Sequence, residues 1–348
     1  MADMFRSEER QAGPDVTQST GAGAPHRPLG EEEYEEAEPS FVGVSRLLEF
    51  GVNASDIAKL TKHGYTTAGL IAKASTRELA LVKGLSAERA AMLRSKAQLA
   101  DPTKGIFFQN GLEIKQRLDD YGPRPATEVF GDSATGKTQL CLTLCVRAQL
   151  ATDDGGLAGR VLYIDTDYTF RPERIVEIAE AQGLDAFQCL QNIDSVHASS
   201  FEQQCEALTA AAAVLADPHD GEYRLVVVDC IIAHLRAEYA GRGELSERQQ
   251  TLHTHLRHLK QIAEEFKVAV VVTNQVTSVP DAMSFGVSVK ACGGPIMAHS
   301  TTTKLFLRKG RGHHKKATLT QSPFRPPDDC VFTITKAGCT DVPLDTEK

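Results

Sequence analysis

Four absences limit what this chain can be. No apolar run approaches the ~18–20 residues that a membrane-crossing helix needs, so none is expected. Met1 to Gly13 is polar and charged, without the apolar segment of a secretory signal, and secretion is not expected. None of the eight cysteines forms Cys-x-x-Cys, and most sit in apolar runs. They read as reduced core residues of a cytosolic or nuclear protein, not as zinc ligands or a disulfide framework. The composition also lacks the repeats or cysteine density of collagens, coiled coils and disulfide scaffolds. What remains is 348 residues with 41% hydrophobic and 24% charged side chains. That describes a soluble intracellular protein of about two domains.

The formal charge of −8 is unevenly spread. Residues 1–40 hold ten acids and three bases, ending in Glu31-Glu32-Glu33-Tyr34-Glu35-Glu36. With few apolar residues, this segment is expected to be a disordered acidic tail, either a solubilising arm or a competitor for a polyanion site. The opposite bias lies near the C-terminus. Between Asp281 and Asp328 there is no acid, while Lys290, Lys304, Arg308, Lys309, Arg311, Lys315, Lys316 and Arg325 supply positive charge. Such a stripe is either a solvated basic face or an attractor of a phosphate backbone.

Residues 41–100 have helix-like apolar spacing broken at Gly51 and Gly64, which predicts a small helical domain. Within it, Leu81-Val82-Lys83-Gly84-Leu85 joins two helices through a tight turn. A turn at Gly84 that presents backbone N–H groups beside a helix start can hold a phosphate, although a plain helical hairpin has the same pattern. Asp101 to Gly105 reads as a linker, and residues 101–348 as a second domain. There, β-branched runs at Ala126–Phe130, Val161–Asp165, Leu225–Asp229 and Val268–Asn274 alternate with helical stretches at Thr138–Leu150, Arg171–Gln182, Phe201–Leu215 and Ser246–Phe266. Near-continuous apolar strands between helices predict an α/β fold, a mainly parallel sheet covered on both faces.

Gly131-Asp132-Ser133-Ala134-Thr135-Gly136-Lys137-Thr138 matches G-x-x-x-x-G-K-[ST] and lies between a predicted strand and a predicted helix. Its backbone amides are expected to wrap the phosphates of ATP, Lys137 to reach the β/γ-phosphates, and the Thr138 hydroxyl to ligate Mg²⁺. Leu225-Val226-Val227-Val228-Asp229 supplies the apolar strand whose terminal carboxylate would hold the same ion. Asp165 and Asp167, after another strand, are candidates to orient the attacking water. Gln275, after Val270-Val271-Val272-Thr273-Asn274, is either a sensor of the γ-phosphate or a surface amide opening a loop. His253, His255 and His258 share a predicted helix but lack i, i+4 spacing and a further ligand, so no metal site is expected there.

Several segments, in order, resemble the eukaryotic RecA-like strand-exchange recombinases. They are Tyr163-Ile164-Asp165-Thr166-Asp167-Tyr168-Thr169-Phe170-Arg171-Pro172-Glu173-Arg174, Gly241-Arg242-Gly243-Glu244-Leu245-Ser246-Glu247-Arg248-Gln249, Thr273-Asn274-Gln275-Val276 and Leu307-Arg308-Lys309-Gly310-Arg311-Gly312. The resemblance spans about residues 41–340. Arg248-Gln249-Gln250 and Thr273-Asn274-Gln275-Val276-Thr277 look closer to the meiotic branch than to the mitotic one.

The resemblance implies a RecA-like P-loop ATPase core behind a helix-hairpin-helix domain, and a DNA-dependent ATPase of the nucleus. Such a protein assembles as a ring or filament on single-stranded DNA, pairs it with duplex DNA, and works with other recombinase or mediator proteins. By match, Arg174 would stack on the adenine, Arg242 lies in the first DNA-binding loop, and Lys290 lies in a second loop from about Val279 to Pro295. His299 would couple DNA contact to a neighbouring protomer's nucleotide. Together with Gly84, the cations Arg242, Lys290, Lys304 and Arg308 form the expected DNA contact.

The chain departs from the family pattern at four places. Asp167 stands where the family has Glu, and Ser133 where it has Phe. Gln321-Ser322-Pro323 replaces Asp-Ser-Pro, and the linker lacks the Phe-x-x-Ala that docks each protomer on the next. The only Phe-x-x-Ala, Phe266 to Ala269, is expected to enter a core strand, while Phe107-Phe108 is either core or a substitute anchor. These departures leave a second expectation open, a paralogue that uses ATP as a conformational ligand to assist another recombinase's filament.

Overall fold

The computed structural model describes residues 41–102, 110–121, 126–217, 221–241, 243–278 and 289–342. The acidic tail, most of the linker, Phe107-Phe108, Arg242 and the middle of the second loop lie outside the described residues.

The first unit opens with a 3₁₀ turn at Val44–Leu48 and continues through α1 (Ala54–Lys62), α2 (Ala68–Lys73), α3 (Thr76–Leu79) and α4 (Ala87–Ala100). Local chemistry sets its boundaries. Ser75 and Glu78 form a capping box at α3, and the Ser86 hydroxyl accepts the Arg89 amide at the start of α4. Gly84 takes φ +87° between them, as the hairpin requires. Leu47, Leu60, Ile71, Leu79, Leu93 and Ala97 fill a core of its own.

After α5 (Gly111–Tyr121) come the strands β1 (Ala126–Gly131), β2 (Arg160–Asp165), β3 (Ile193–His197), β4 (Tyr223–Asp229) and β5 (Ala269–Asn274). The helices between them are α6 (Lys137–Arg147), α7 (Pro172–Ala181), α8 (Ala186–Gln191), α9 (Phe201–Leu215), α10 (Ala233–Glu238) and α11 (Leu245–Glu265). A two-stranded ribbon of β6 (Val276–Ser278) and β7 (Val289–Ala291) leads to α12 (Gly294–Ser300). The chain then runs through β8 (Thr303–Lys309), β9 (Lys315–Gln321), β10 (Asp328–Thr335) and β11 (Gly338–Asp341).

Nine strands form one sheet in the order β11-β10-β9-β8-β1-β5-β4-β2-β3. Pairing is parallel from β8 through β3 and antiparallel from β8 to β11. The α/β expectation therefore holds, with an antiparallel edge that the apolar runs did not announce. Val226 and Val228 of β4 point to one core with α9 and α11, and Leu225 and Val227 point to the other with α6 and α7. Strands buried on both faces must be apolar throughout, which explains the runs. On α11, Leu252, Leu256, Leu259 and Ile262 recur at helical spacing and meet the sheet. β1 connects towards β2 on one side while its neighbour β5 connects back across it to β8, so the chain leaves adjacent strand ends in opposite directions, opening a crevice of the kind that binds ligands in such sheets.

The helical unit is fastened to this core. Thr66 donates to the Ala212 carbonyl at 3.0 Å and Thr67 to Glu265 at 2.7 Å, while Lys73 pairs with Glu264 at 3.1 Å and Arg257 with Glu78. α2 and α11 approach so closely that a Cβ on Gly69 would lie 2.2 Å from a Glu265 carboxylate oxygen.

Candidate nucleotide and nucleic-acid site

The β1 backbone reaches Gly131 beneath β8, where an added Cβ would sit 2.2 Å from the Leu307 carbonyl oxygen. Glycine is required there by close approach. The following loop closes on itself: the Thr135 hydroxyl donates to the Asp132 carbonyl at 2.8 Å, and the Ser133 amide to the Asp132 carboxylate at 2.8 Å. Ala134 at φ +59° and Gly136 at φ +100° turn the backbone left-handed within a few residues of the start of α6. Such turns build a concave set of amides that suits an anion, and the helix N-terminus adds to it. The Lys137 ammonium lies against the loop, donating to the carbonyls of Gly131 at 3.0 Å and Asp132 at 2.9 Å.

Across the crevice, Asp229 ends β4 and is 3% exposed. It accepts the Thr138 hydroxyl at 2.7 Å, the Tyr163 phenol at 2.9 Å and the Thr273 hydroxyl. Burial, and then the Asp229 charge, hold the Tyr163 phenol well above its ordinary range, so it remains a donor. A hydroxyl and a carboxylate already in contact are hard oxygen donors, a set that fits Mg²⁺. The loop's amides and Lys137 likewise fit the phosphates of a nucleotide.

The structure distinguishes the two acids, of which the family resemblance points to Asp167 as the catalytic one. Asp165 is buried and consumed by its own turn, accepting the amides of Asp167 at 3.2 Å, Thr169 at 3.1 Å and Phe170 at 2.9 Å. Asp167, one turn further out, is exposed. Partial desolvation, then the charges of Asp229 and Asp165, raise its carboxyl above the usual range, with His234 opposing. Thr166 zips this turn to β4: its hydroxyl receives the Cys230 amide at 2.6 Å, and its amide donates to the Asp229 carbonyl at 2.9 Å.

Gln275 follows β5 and accepts from Arg236 at 2.7 Å. Its carbonyl receives the Cys292 amide at 2.9 Å, tying the strand end to the segment that returns from the second loop. Beside it lies a cavity of about 360 Å³ lined by Arg236, Arg248, Gln249, Lys290 and Cys292. Arg236 was not singled out from the sequence, and Arg248 only as part of the family resemblance, without a role. Their positional signal was a spacing of six residues either side of Arg242.

The remaining expected positions divide. Lys290, His299 and Arg308 are exposed. Lys304 is not available as an open DNA cation, which corrects its grouping with the other three. Its side chain, 11% exposed, donates to the carbonyls of Met297 at 3.4 Å and Ala298 at 2.6 Å, and it stands 3.5 Å from buried Glu128. The reason is register, since Glu128 of β1 pairs directly with Lys304 of β8. Arg174 has a guanidinium engaged with Gln139 at 2.8 Å, Glu177 and the carbonyls of Thr335 and Lys336, which joins α7 to the β10–β11 turn. Gly84 lies in the chain's first unit, between α3 and α4, its carbonyl accepting from Lys59 at 3.2 Å. Gln321 and Pro323 are exposed where β9 ends.

His255 is buried between Gln204 and Cys205, with burial driving its pKa to about 3. No group of metal-ligating side chains occurs among the described residues. No helix there is long and apolar enough to cross a membrane.

Comparison with known proteins places these features in a family. The Rad51 family profile matches residues 122–342, the span that carries the crevice. Meiotic recombination protein DMC1 of Saccharomyces cerevisiae is 40% identical over 320 residues, covering 87% of this chain and 95% of that protein. DNA repair protein RAD51 of Mycosarcoma maydis is 38% identical over 322 residues, covering 87% and 93%. Meiotic recombination protein DMC1 homolog A of Oryza sativa is 38% identical over 327 residues. With the phosphate loop, the Asp229 strand and the Asp165 turn assembled on one sheet, and similarity running through all of them, the chain belongs to the Rad51 family.

Proposed function

We propose that this protein is an ATP-dependent DNA recombinase of the nucleus. It binds single-stranded DNA and promotes its pairing and exchange with a homologous duplex in double-strand break repair, in meiosis. The observation that carries this reading is the convergence of these groups at the carboxyl ends of neighbouring strands. Thr138 bonds Asp229, Asp229 bonds Thr273 of β5, and Gln275, two residues further on, bonds Arg236 in the cavity that Lys290 also lines.

Magnesium-bound ATP supplies the transferable phosphoryl group and a charge that draws the loop together. The residues of this chain do the rest. Gly131 to Gly136 present amides, Lys137 exchanges its loop carbonyls for phosphate oxygens, and Thr138 with Asp229 offers oxygen donors. Asp167 orients a water and accepts its proton, aided by a carboxyl already raised by partial desolvation and then by the charges of Asp229 and Asp165. Arg174 holds the β10–β11 turn as one wall for the base. Arg242, Lys290 and Arg308 contact DNA through its backbone, so recognition is tolerant of sequence. The helical domain 41–100, with Gly84, is a second and weaker place for DNA beside the 101–348 core.

Self-assembly with other copies is driven by DNA and ATP together, because the linker has no Phe-x-x-Ala. Electron microscopy with single-stranded DNA, ATP and Mg²⁺ tests the reading. Long helical filaments that vanish in Lys137→Ala support it. Small rings or monomers with ATP bound but scarcely hydrolysed favour the paralogue that assists another filament, a reading to which the shorter acid at Asp167 lends weight.

A further inference from the structure

Tyr168 is the residue after the catalytic candidate, and three features make it unusual. Its φ is +56°, a left-handed backbone that a bulky side chain rarely adopts. Its ring is exposed, at 67%, whereas Tyr163, which bonds Asp229, is fully buried. The ring is nevertheless held on two sides: the His197 imidazole meets it edge-on at 4.9 Å, and the Arg171 guanidinium lies over it at 5.3 Å.

Both holders are themselves fixed. His197 ends β3 and donates from Nδ1 to the Asp165 carbonyl at 3.1 Å, which can only accept. Arg171 donates to the Phe170 carbonyl at 2.9 Å immediately before α7. Phe170 packs on Tyr163 at 5.0 Å, and Tyr163 is bonded to Asp229. From below, the Asp165 carboxylate gathers the amides of Asp167, Thr169 and Phe170. The turn that carries Asp167 is thus clamped above by an aromatic ring and below by a carboxylate. A strained backbone persists only where its surroundings over-determine it, and such strain gathers at working sites.

We propose that Tyr168 is a positioning residue for ATP hydrolysis: the Tyr168 ring, clamped between His197 and Arg171, holds residue 168 left-handed and so fixes the direction in which Asp167 projects. This rests on the assignment of Asp167 as the group that orients water. It limits what the shortened acid loses, because a fixed backbone holds its shorter reach in one direction.

The test is a substitution series read by single-turnover phosphate release with saturating single-stranded DNA. Tyr168→Phe keeps the ring and is expected to turn over within about twofold of the parent. Tyr168→Gly tolerates positive φ but frees the turn, and is expected to be several-fold slower. Tyr168→Ala removes the ring and disfavours positive φ, and is expected to fall furthest, by on the order of 10- to 100-fold, the range that small misplacements reach. Throughout, the KM for ATP and binding of a non-hydrolysable analogue should stay within about twofold. A residue that merely stabilised the fold would give no such order and would move melting temperature in step with rate.

Asp167→Asn separates this inference from the assignment beneath it. If that variant hydrolyses ATP normally, the assignment of Asp167 fails. If Asp167→Asn is slow and the Tyr168 series is flat, only the positioning role fails. In the Asp167→Asn background Tyr168→Ala should cost nothing more, since one acts through the other. An equal loss in both backgrounds overturns the inference.

Discussion

Replacing Lys304 by methionine should damage the fold and leave DNA binding electrostatics untouched, the reverse of what a member of the basic stripe would do. The side chain sits under β8 with Glu128, which is fully buried. Methionine matches the lysine stem in length but removes the donors to Met297 and Ala298 and the charge 3.5 Å from Glu128. Glu128 keeps Asn274 at 2.6 Å and Thr301 at 3.1 Å, so the loss belongs at the low end of the ~3–5 kcal/mol for breaking a buried pair. About 3 kcal/mol in a domain of this size lowers the melting temperature by roughly 6–12 °C.

The deficit should also depend on pH. Burial raises the Glu128 carboxyl above the usual carboxylate range, with Asn274 and Lys304 among the groups that lower it. Losing Lys304 raises it further. A carboxyl with a raised folded pKa contributes its full stability below the unfolded value and loses it as pH rises through the folded one. The variant should therefore be nearest the parent at about pH 5 and furthest at about pH 8. Scanning calorimetry at the two pH values, beside the salt dependence of single-strand affinity, decides the matter. A pH-independent melting shift, or a salt slope lowered by the ~0.7 expected for one lost phosphate contact, would refute the buried-pair account.

Lys137→Ala should abolish ATP binding and turnover while the melt without nucleotide stays unchanged, since the loop's shape comes from Gly131 and Gly136; normal turnover would sink the phosphate-loop assignment. Lys290→Ala and Arg308→Ala should each lower the salt slope of DNA binding by roughly 0.7, and an unchanged slope would move the DNA site elsewhere. Asp167→Glu should raise DNA-stimulated turnover; a fall would mean that the clamped turn is built for the shorter acid. Gly69→Ala should destabilise by about 1–3 kcal/mol in thermal melts, because its methyl enters the Glu265 carboxylate at the α2–α11 contact.

How much of this was legible in the sequence depends on what kind of contact each element makes. α9 was read with the bounds it has, Phe201–Leu215, and β4 to within two residues, because both bury their periodic apolar faces. β3 escaped notice since it is an edge strand whose Asp194, Ser195 and His197 face solvent. β9 to β11 escaped for a similar reason: Thr318, Thr320, Thr333 and Thr335 and the acids of β10 interrupt their apolar residues, and most positions are only partly buried or exposed. The phosphate loop was legible because its chemistry is local, whereas Asp165 and Asp167 are the same residue type two positions apart. Only the turn decides which one is consumed. Lys304 was read as one cation among many because its partner Glu128 is far away in sequence and becomes a neighbour only through the β1–β8 register.

That same register bears on how a nucleotide and DNA could sense each other. A ligand shifts a second site only if it interacts differently with two arrangements of the groups between them. Here the intervening groups are few and specific. Asn274 binds Glu128 of β1 at 2.6 Å and the Cys292 carbonyl at 2.9 Å, while Gln275 holds the Cys292 amide and, through its side chain, Arg236. Cys292 is therefore grasped at both backbone atoms by the end of β5, and β1 carries the phosphate loop three residues beyond Glu128. Lys304 closes the circuit from Glu128 to the carbonyls that end α12, next to His299. On the proposed reading, DNA that shifts Lys290 and Cys292 must either carry the end of β5 with them or break these hydrogen bonds, and buried hydrogen bonds left unmade cost about 1–3 kcal/mol each. Moving as a unit is the lower-energy course, and a unit that reaches from Lys290 to Gly131 is one that both ligands can bias.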